Sequence, residues 1–146
     1  MNIKSHDKVN LEQIVKLEET IGFTLPNDYK EFLLETNGGS NKDYDTNKFW
    51  VKELDDYIVI DVLFGVDLDE NIDIKANLDM FSYDMLPETV LIGDSIQHGF
   101  IVMICNGSDK GIYYWDHSYV YEVSNDEGNM YWVADSFDDL LKLLNK

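Results

Sequence analysis

The stretch Gly22–Gly39, GFTLPNDYKEFLLETNGG, constrains the fold more than any other part of the chain. Pro26 suits the first position of a helix, because its ring fixes φ at a helical value and its missing N–H would have had no partner there. Tyr29, Phe32, Leu33 and Thr36 follow at spacings of three and four, which gathers them on one face. That face is predicted to be core. Asn37, Gly38 and Gly39 tolerate positive φ, so they end the helix and turn the chain sharply.

A chain of 146 residues is expected to form one domain, 1–146, that buries about 70% of its unfolded surface. Nine Tyr, seven Phe and three Trp can fill a core without disulfides or metal staples. Cys105, the single cysteine, cannot form an intramolecular bridge, and no apolar N-terminal run resembles a signal peptide, so the cytoplasm is the expected compartment. Lys, Asp or Glu interrupts every apolar segment before it reaches the roughly 20 residues of a membrane span.

Charge narrows the partners. There are 29 acidic residues against 11 basic ones, a net charge of −18, and every basic residue is lysine. Arginine is the usual fork for phosphates and base edges, and so negative a field repels polyanions, which argues against direct nucleic-acid or phosphate binding. Glu53 to Asp109 holds thirteen acids and only Lys75 as a base. Such a field speeds association with a basic partner or simply keeps the protein soluble.

Taken in order, Met1 to Val9 is predicted to be frayed or loosely packed. Asn10 and Gln13 have the spacing of a capping box ahead of the stripe Leu11, Ile14, Leu17 and Ile21, a first helix that Gly22 ends. After Gly39, SNKDYDTNK reads as an exposed loop. Strands are predicted at Phe49–Leu54 and Tyr57–Val66, with Gly65 at the end of the second or at a bulge. A helix is expected from about Glu70. TVLIGD, GFIVMIC and GIYYWDH then read as an antiparallel meander, with further strands at Tyr119–Val123 and Met130–Val133. Ser136 and Asp139 cap a closing helix with Phe137, Leu140, Leu141 and Leu144 on one face. The expected class is α+β, a mainly antiparallel sheet with helices packed on it, two at the N terminus and one at the C terminus.

No pattern demands catalysis. Asp67, Asp69, Asn71 and Asp73 alternate as in a calcium loop, but Ile72 stands where glycine is needed and Leu78 where a bidentate acid is needed. Cys105 ends the apolar run FIVMIC and is expected to be inert packing rather than a nucleophile served by His98 or His117. His6, His98 and His117 lack metal-ligand spacing. No dinucleotide, phosphate-loop, nucleophile-elbow or zinc-protease motif occurs, and so many carboxylates select no acid–base pair for glycoside cleavage. No catalytic residue, cofactor or metal is expected. Tyr113, Tyr114 and Trp115 read as core on one side of their strand or as a contact surface on the other.

Gly22, Leu25, Pro26, Tyr29, Phe32, Leu33, Asn37, Gly38 and Gly39 together resemble the signature of the SUKH superfamily, which includes fungal cell-wall assembly regulators and bacterial immunity proteins. Leu63-Phe64-Gly65, Leu86-Pro87, Ile92-Gly93-Asp94, Gly99, Tyr114-Trp115-Asp116-His117 and the closing helix Ser136 to Leu144 resemble its pattern in the same order. The segment Asn41 to Asp56 shows no match. The resemblance implies a non-catalytic α+β domain, most often the immunity partner of a bacterial toxin, many of which are nucleases. A nuclease groove is basic, which agrees with the charge of this chain. The expected partner is therefore a protein, a cognate toxin domain, with no membrane involved. The alternative is a regulatory scaffold module with a non-toxin cellular partner. Contact residues are expected at Asp43, Tyr44 and Asp45 in the unmatched loop, Asp55 and Asp56 beyond it, and Glu70 and Asp73 in the acidic middle.

Overall fold

Asn10 opens the first helix as its sequence predicts: its side chain accepts the Gln13 N–H at 2.9 Å, and the Gln13 side chain accepts the Asn10 N–H at 3.0 Å. The computed structural model describes residues 1–82, 85–116 and 130–144. Within them run β1 Ile3–Ser5, α1 Leu11–Ile21, α2 Asn27–Thr36, β2 Gly39–Asn41, β3 Lys48–Val51, β4 Asp56–Leu63, α3 Ile74–Phe81, β5 Thr89–Ser95, β6 Phe100–Ile104, β7 Gly111–Trp115, β8 Met130–Ala134 and α4 Phe137–Leu144. The strands form an 8-stranded sheet in the order β1-β2-β4-β5-β6-β7-β8, with β3 also paired to β4. Each of these pairings is antiparallel. The expected α+β architecture, with two early helices and one closing helix around the sheet, is the observed one.

β4 carries two neighbours along one edge. β3 pairs with its first half, from Asp56 to Val59, and β2 with its last residues, Val62 and Leu63. Asn47 closes the fork between them. Its side chain donates to the carbonyl of Asn2 and to Oδ1 of Asn41, accepts the Asn2 N–H, and its own carbonyl accepts the Ile60 N–H. At the far end of the order, β8 comes to lie against β3, so the sheet curls.

The core follows from this curl. Tyr29 and Phe32 of α2 pack on Phe137 of α4, with ring centroids 4.9 and 4.8 Å away. α3 covers β5 and brings Phe81 against Phe100, centroids 4.9 Å apart. β5 is therefore buried at six of its seven positions, the pattern of a strand covered on both faces. Tyr114 and Trp115 are core, while Tyr113 is half-buried.

The signature corner is a backbone-to-backbone contact. Asn37 and Gly38 both have positive φ, 51° and 80°, and lie against the turn after β4. A Cβ on Gly38 would stand 2.3 Å from the Leu63 carbonyl oxygen, and one on Gly65 would stand 2.2 Å from that of Asn37. Asn37 itself is 1% exposed and donates to the carbonyls of Asp7 and Val66 while accepting the Val66 N–H.

Several expectations need correction. Met1 to Val9 is not frayed: β1 pairs with β2, and Val9 is buried. Leu11 is 56% exposed, because the buried stripe of α1 consists of Ile14 and Leu17. Pro26 precedes the first helical residue, Asn27, and its carbonyl accepts the Lys30 N–H. SNKDYDTNK is not all loop, since β2 extends through Asn41 and Asn47 is fully buried. β3 ends at Val51, where Lys52–Leu54 make a 3-10 turn, and β4 ends at Leu63 with its irregularity between Ile60 and Val62 rather than at Gly65. α3 starts at Ile74 and not near Glu70, because Asp73 is its N-cap. The strand expected at Tyr119–Val123 and His117 lie outside the described residues.

Candidate functional site

The β3–β4 hairpin presents two chemically different faces. Strand alternation sends Phe49, Val51, Ile58 and Ile60 into the core and leaves Lys48, Trp50, Tyr57 and Val59 outward. Trp50 and Tyr57 are directly opposite in the ladder and meet edge to face, centroids 5.1 Å apart. They are 48% and 46% exposed, although each is paired within the ladder. Lys48 places its Nζ 4.7 Å from the centre of the Tyr57 ring.

Acids flank these rings along the hairpin. Beyond Val51, the 3-10 turn ends in Asp55, which has the left-handed φ of 51° that Asp tolerates, and Asp56 pairs with Val51 to close the loop. At the other end the irregularity in β4 falls at Asp61, which is half-buried and accepts the Tyr44 hydroxyl at 3.0 Å. This bond holds the Tyr44 hydroxyl above its ordinary pKa. Asp94 of β5 faces Val62 and accepts its N–H at 3.0 Å. Burial pushes the Asp94 carboxyl up to about 6, against the pull of the Val62 N–H and with a smaller push from Asp61.

The expected contact residues divide accordingly. Asp43, Tyr44 and Asp45 form a turn at one end of the hairpin, pinned by the Asp43 N–H on Asn41 and the Asp45 N–H on Asp43, and Asp55 and Asp56 lie at the other. Tyr44, Asp45, Asp55 and Asp56 are exposed, and Asp43 is half-buried. Glu70 and Asp73 are on a separate turn. Glu70 is exposed, whereas Asp73 spends its oxygens on the N–H groups of Leu68 and Ala76. Trp50, Tyr57 and Asp61 are the residues that sequence reasoning missed. The opposite parity of Trp50 to Phe49 and Val51, and of Tyr57 to Ile58, is the signal that finds the two rings.

Other places offer less chemistry. Asp67 accepts from Gln13 Nε2 at 2.8 Å and Asp73 caps α3, so two of the alternating acids are already engaged. Among the described residues no group of three His, Cys, Asp or Glu is placed to hold a metal ion. Cys105 is buried, and burial, reinforced by Glu88, pushes its thiol up to about 12, so it carries no thiolate near neutral pH. A groove of about 310 Å³ between the starts of α2 and α4 is lined by Asp28, Asp135 and Lys110, and there Asp28 already accepts the Asp138 N–H at 3.0 Å. No helix among the described residues is long and apolar enough to cross a membrane.

A curled antiparallel sheet with helices packed on it makes the chain an α+β protein. The profile of the SMI1 / KNR4 family (SUKH-1) matches residues 8–143, and the chain belongs to that family. Among curated proteins it is similar to the SPbeta prophage-derived uncharacterized protein YokK of Bacillus subtilis (strain 168). The two are 30% identical over 145 residues, which cover 89% of this chain and 71% of that protein.

Proposed function

We propose that this protein is an immunity-type binder that neutralises a cognate bacterial toxin domain, a nuclease being the class its charge suits best. It acts as one domain, 1–146, in the cytoplasm, by stoichiometric binding and without turnover. The observation that carries this reading is membership of the SMI1 / KNR4 family (SUKH-1), whose bacterial members the sequence resemblance links to toxin immunity. Charge supports it: a protein of net charge −18 approaches a basic groove quickly and covers it. The contact set proposed for that encounter is Asp43, Tyr44, Asp45, Asp55 and Asp56 along the hairpin, with Glu70 and Asp73 on a separate acidic turn.

Co-expression with a candidate cognate toxin tests the reading. Cells are expected to survive and a 1:1 complex to co-purify. Absence of any complex with the toxin overturns the reading, and a complex with a housekeeping protein in cells that make no toxin supports the regulatory scaffold reading instead.

A further inference from the structure

We propose that the outer face of the β3–β4 hairpin, centred on Trp50 and Tyr57, docks a basic protein segment by seating an arginine or lysine side chain against the two rings. This rests on the binding reading above and gives it a place and a chemistry.

Three observations converge on the face. Trp50 and Tyr57 hold large exposed rings in mutual edge-to-face contact on a sheet whose other side is core, and aromatic pairs of this kind form the centres of protein interfaces. Next, the face already holds a cation. The ion pairs among the described residues are Lys30–Glu18, Lys75–Asp79 and Lys142–Asp139, so Lys48 stands over the Tyr57 ring rather than against a carboxylate. Trp50, the better platform for a cation, carries none among the described residues. Finally, acids sit beyond the rings at both ends of the hairpin, Asp55 and Asp56 past the turn and Asp45 and Asp61 on the other side.

Those acids choose the occupant. Two copies meeting through this face would bring the same carboxylates together across a twofold axis, in molecules that each carry a net charge of −18. A phosphate backbone meets the same repulsion. A basic segment instead gains from the acids at both ends and finds an aromatic seat between them.

The test uses a nine-residue peptide of alternating arginine and glycine, and the same peptide with citrulline, which keeps the shape and removes the charge. Calorimetric titration is expected to show binding of the arginine peptide and none of the citrulline peptide. Trp50→Ala is expected to weaken binding about tenfold and Trp50→Phe, which keeps a ring, about threefold. Glu12→Gln, which removes one exposed charge on α1, is expected to change it less than twofold. Equal losses from Trp50→Ala and Glu12→Gln, equal binding of the two peptides, or a concentration-dependent dimer abolished by Trp50→Ala would each overturn the proposal. Toxin co-expression separates it from the immunity reading. If Trp50→Ala loses the peptide but protects cells fully, the toxin does not dock on this face, and the immunity reading stands without it. If the wild type binds the peptide through Trp50 but binds no toxin, the face stands and the immunity reading falls.

Discussion

Replacing Asn37 by Ala removes the side chain that ties the signature corner together, and the cost can be worked from its contacts. Asn37 Nδ2 lies 2.9 Å from the Asp7 carbonyl and 3.0 Å from that of Val66, and Oδ1 lies 2.7 Å from the Val66 nitrogen. At about 1 kcal/mol net per hydrogen bond, the three losses come to about 3 kcal/mol. Water is poorly placed to replace the two bonds to Val66, because Asn37 is 1% exposed and Val66 is 4% exposed. Alanine also resists the left-handed conformation that position 37 adopts, which adds about 1 kcal/mol. The total, about 4 kcal/mol, approaches the whole stability of many domains. Asn37→Gly loses the same bonds but accepts the backbone, so it is expected to be about 1 kcal/mol less destabilising than Asn37→Ala. Equilibrium urea unfolding, followed by circular dichroism and compared at equal m-value, measures both. A loss below about 1 kcal/mol for Asn37→Ala would refute the reasoning, since it would mean that the amide bonds contribute nothing net to the corner.

Three further substitutions read other parts of the structure. Asp94 has a folded-state pKa raised to about 6 by burial, so the folded state binds more protons than the unfolded one, and stability is expected to fall as pH rises from about 4 to about 6. Asp94→Asn is expected to remove that decline and, after discounting for the solvent around a half-exposed group, to gain about 1 kcal/mol at pH 7; parallel melting-temperature profiles for variant and wild type would contradict this. Gly65→Ala places its Cβ 2.2 Å from the Asn37 carbonyl oxygen and is expected to cost about 3 kcal/mol by urea unfolding, because backbone on both sides must move. The Tyr29 hydroxyl is buried with no hydrogen-bond partner among the described residues, and burial holds its pKa above the ordinary value. Tyr29→Phe is therefore expected to raise the melting temperature by a few degrees, and a lower one would show that the hydroxyl is bonded.

The fold was legible where local chemistry and tertiary packing agree. The Asn10 cap, the left-handed exits at Gly22 and Asn37, and the apolar strand runs from Thr89 onward all state their conformation within a few residues. It was not legible where a distant partner decides. Ile3–Ser5 becomes a strand only because β2 lies beside it, and Asn47 is buried only because a fork in the sheet needs its amide. The start of α3 shifted from Glu70 to Ile74 because Asp73 has the N-cap chemistry, a signal hidden among neighbouring acids. The hairpin face shows the same division. Its acids stand out in the composition, but Trp50 and Tyr57 look like core until the register of β3 on β4 turns them outward together.

The most direct test of the account is the amide-exchange footprint that a candidate cognate toxin domain leaves on this protein, measured on the purified complex. Protection is expected across residues 43–61, the hairpin and the turn before it, while Gly22–Gly39 exchanges as it does in the free protein. Protection that leaves 43–61 unchanged and falls instead on α1 or on the signature stretch would contradict the claim that the family signature holds the fold while the aromatic and acidic hairpin meets the partner.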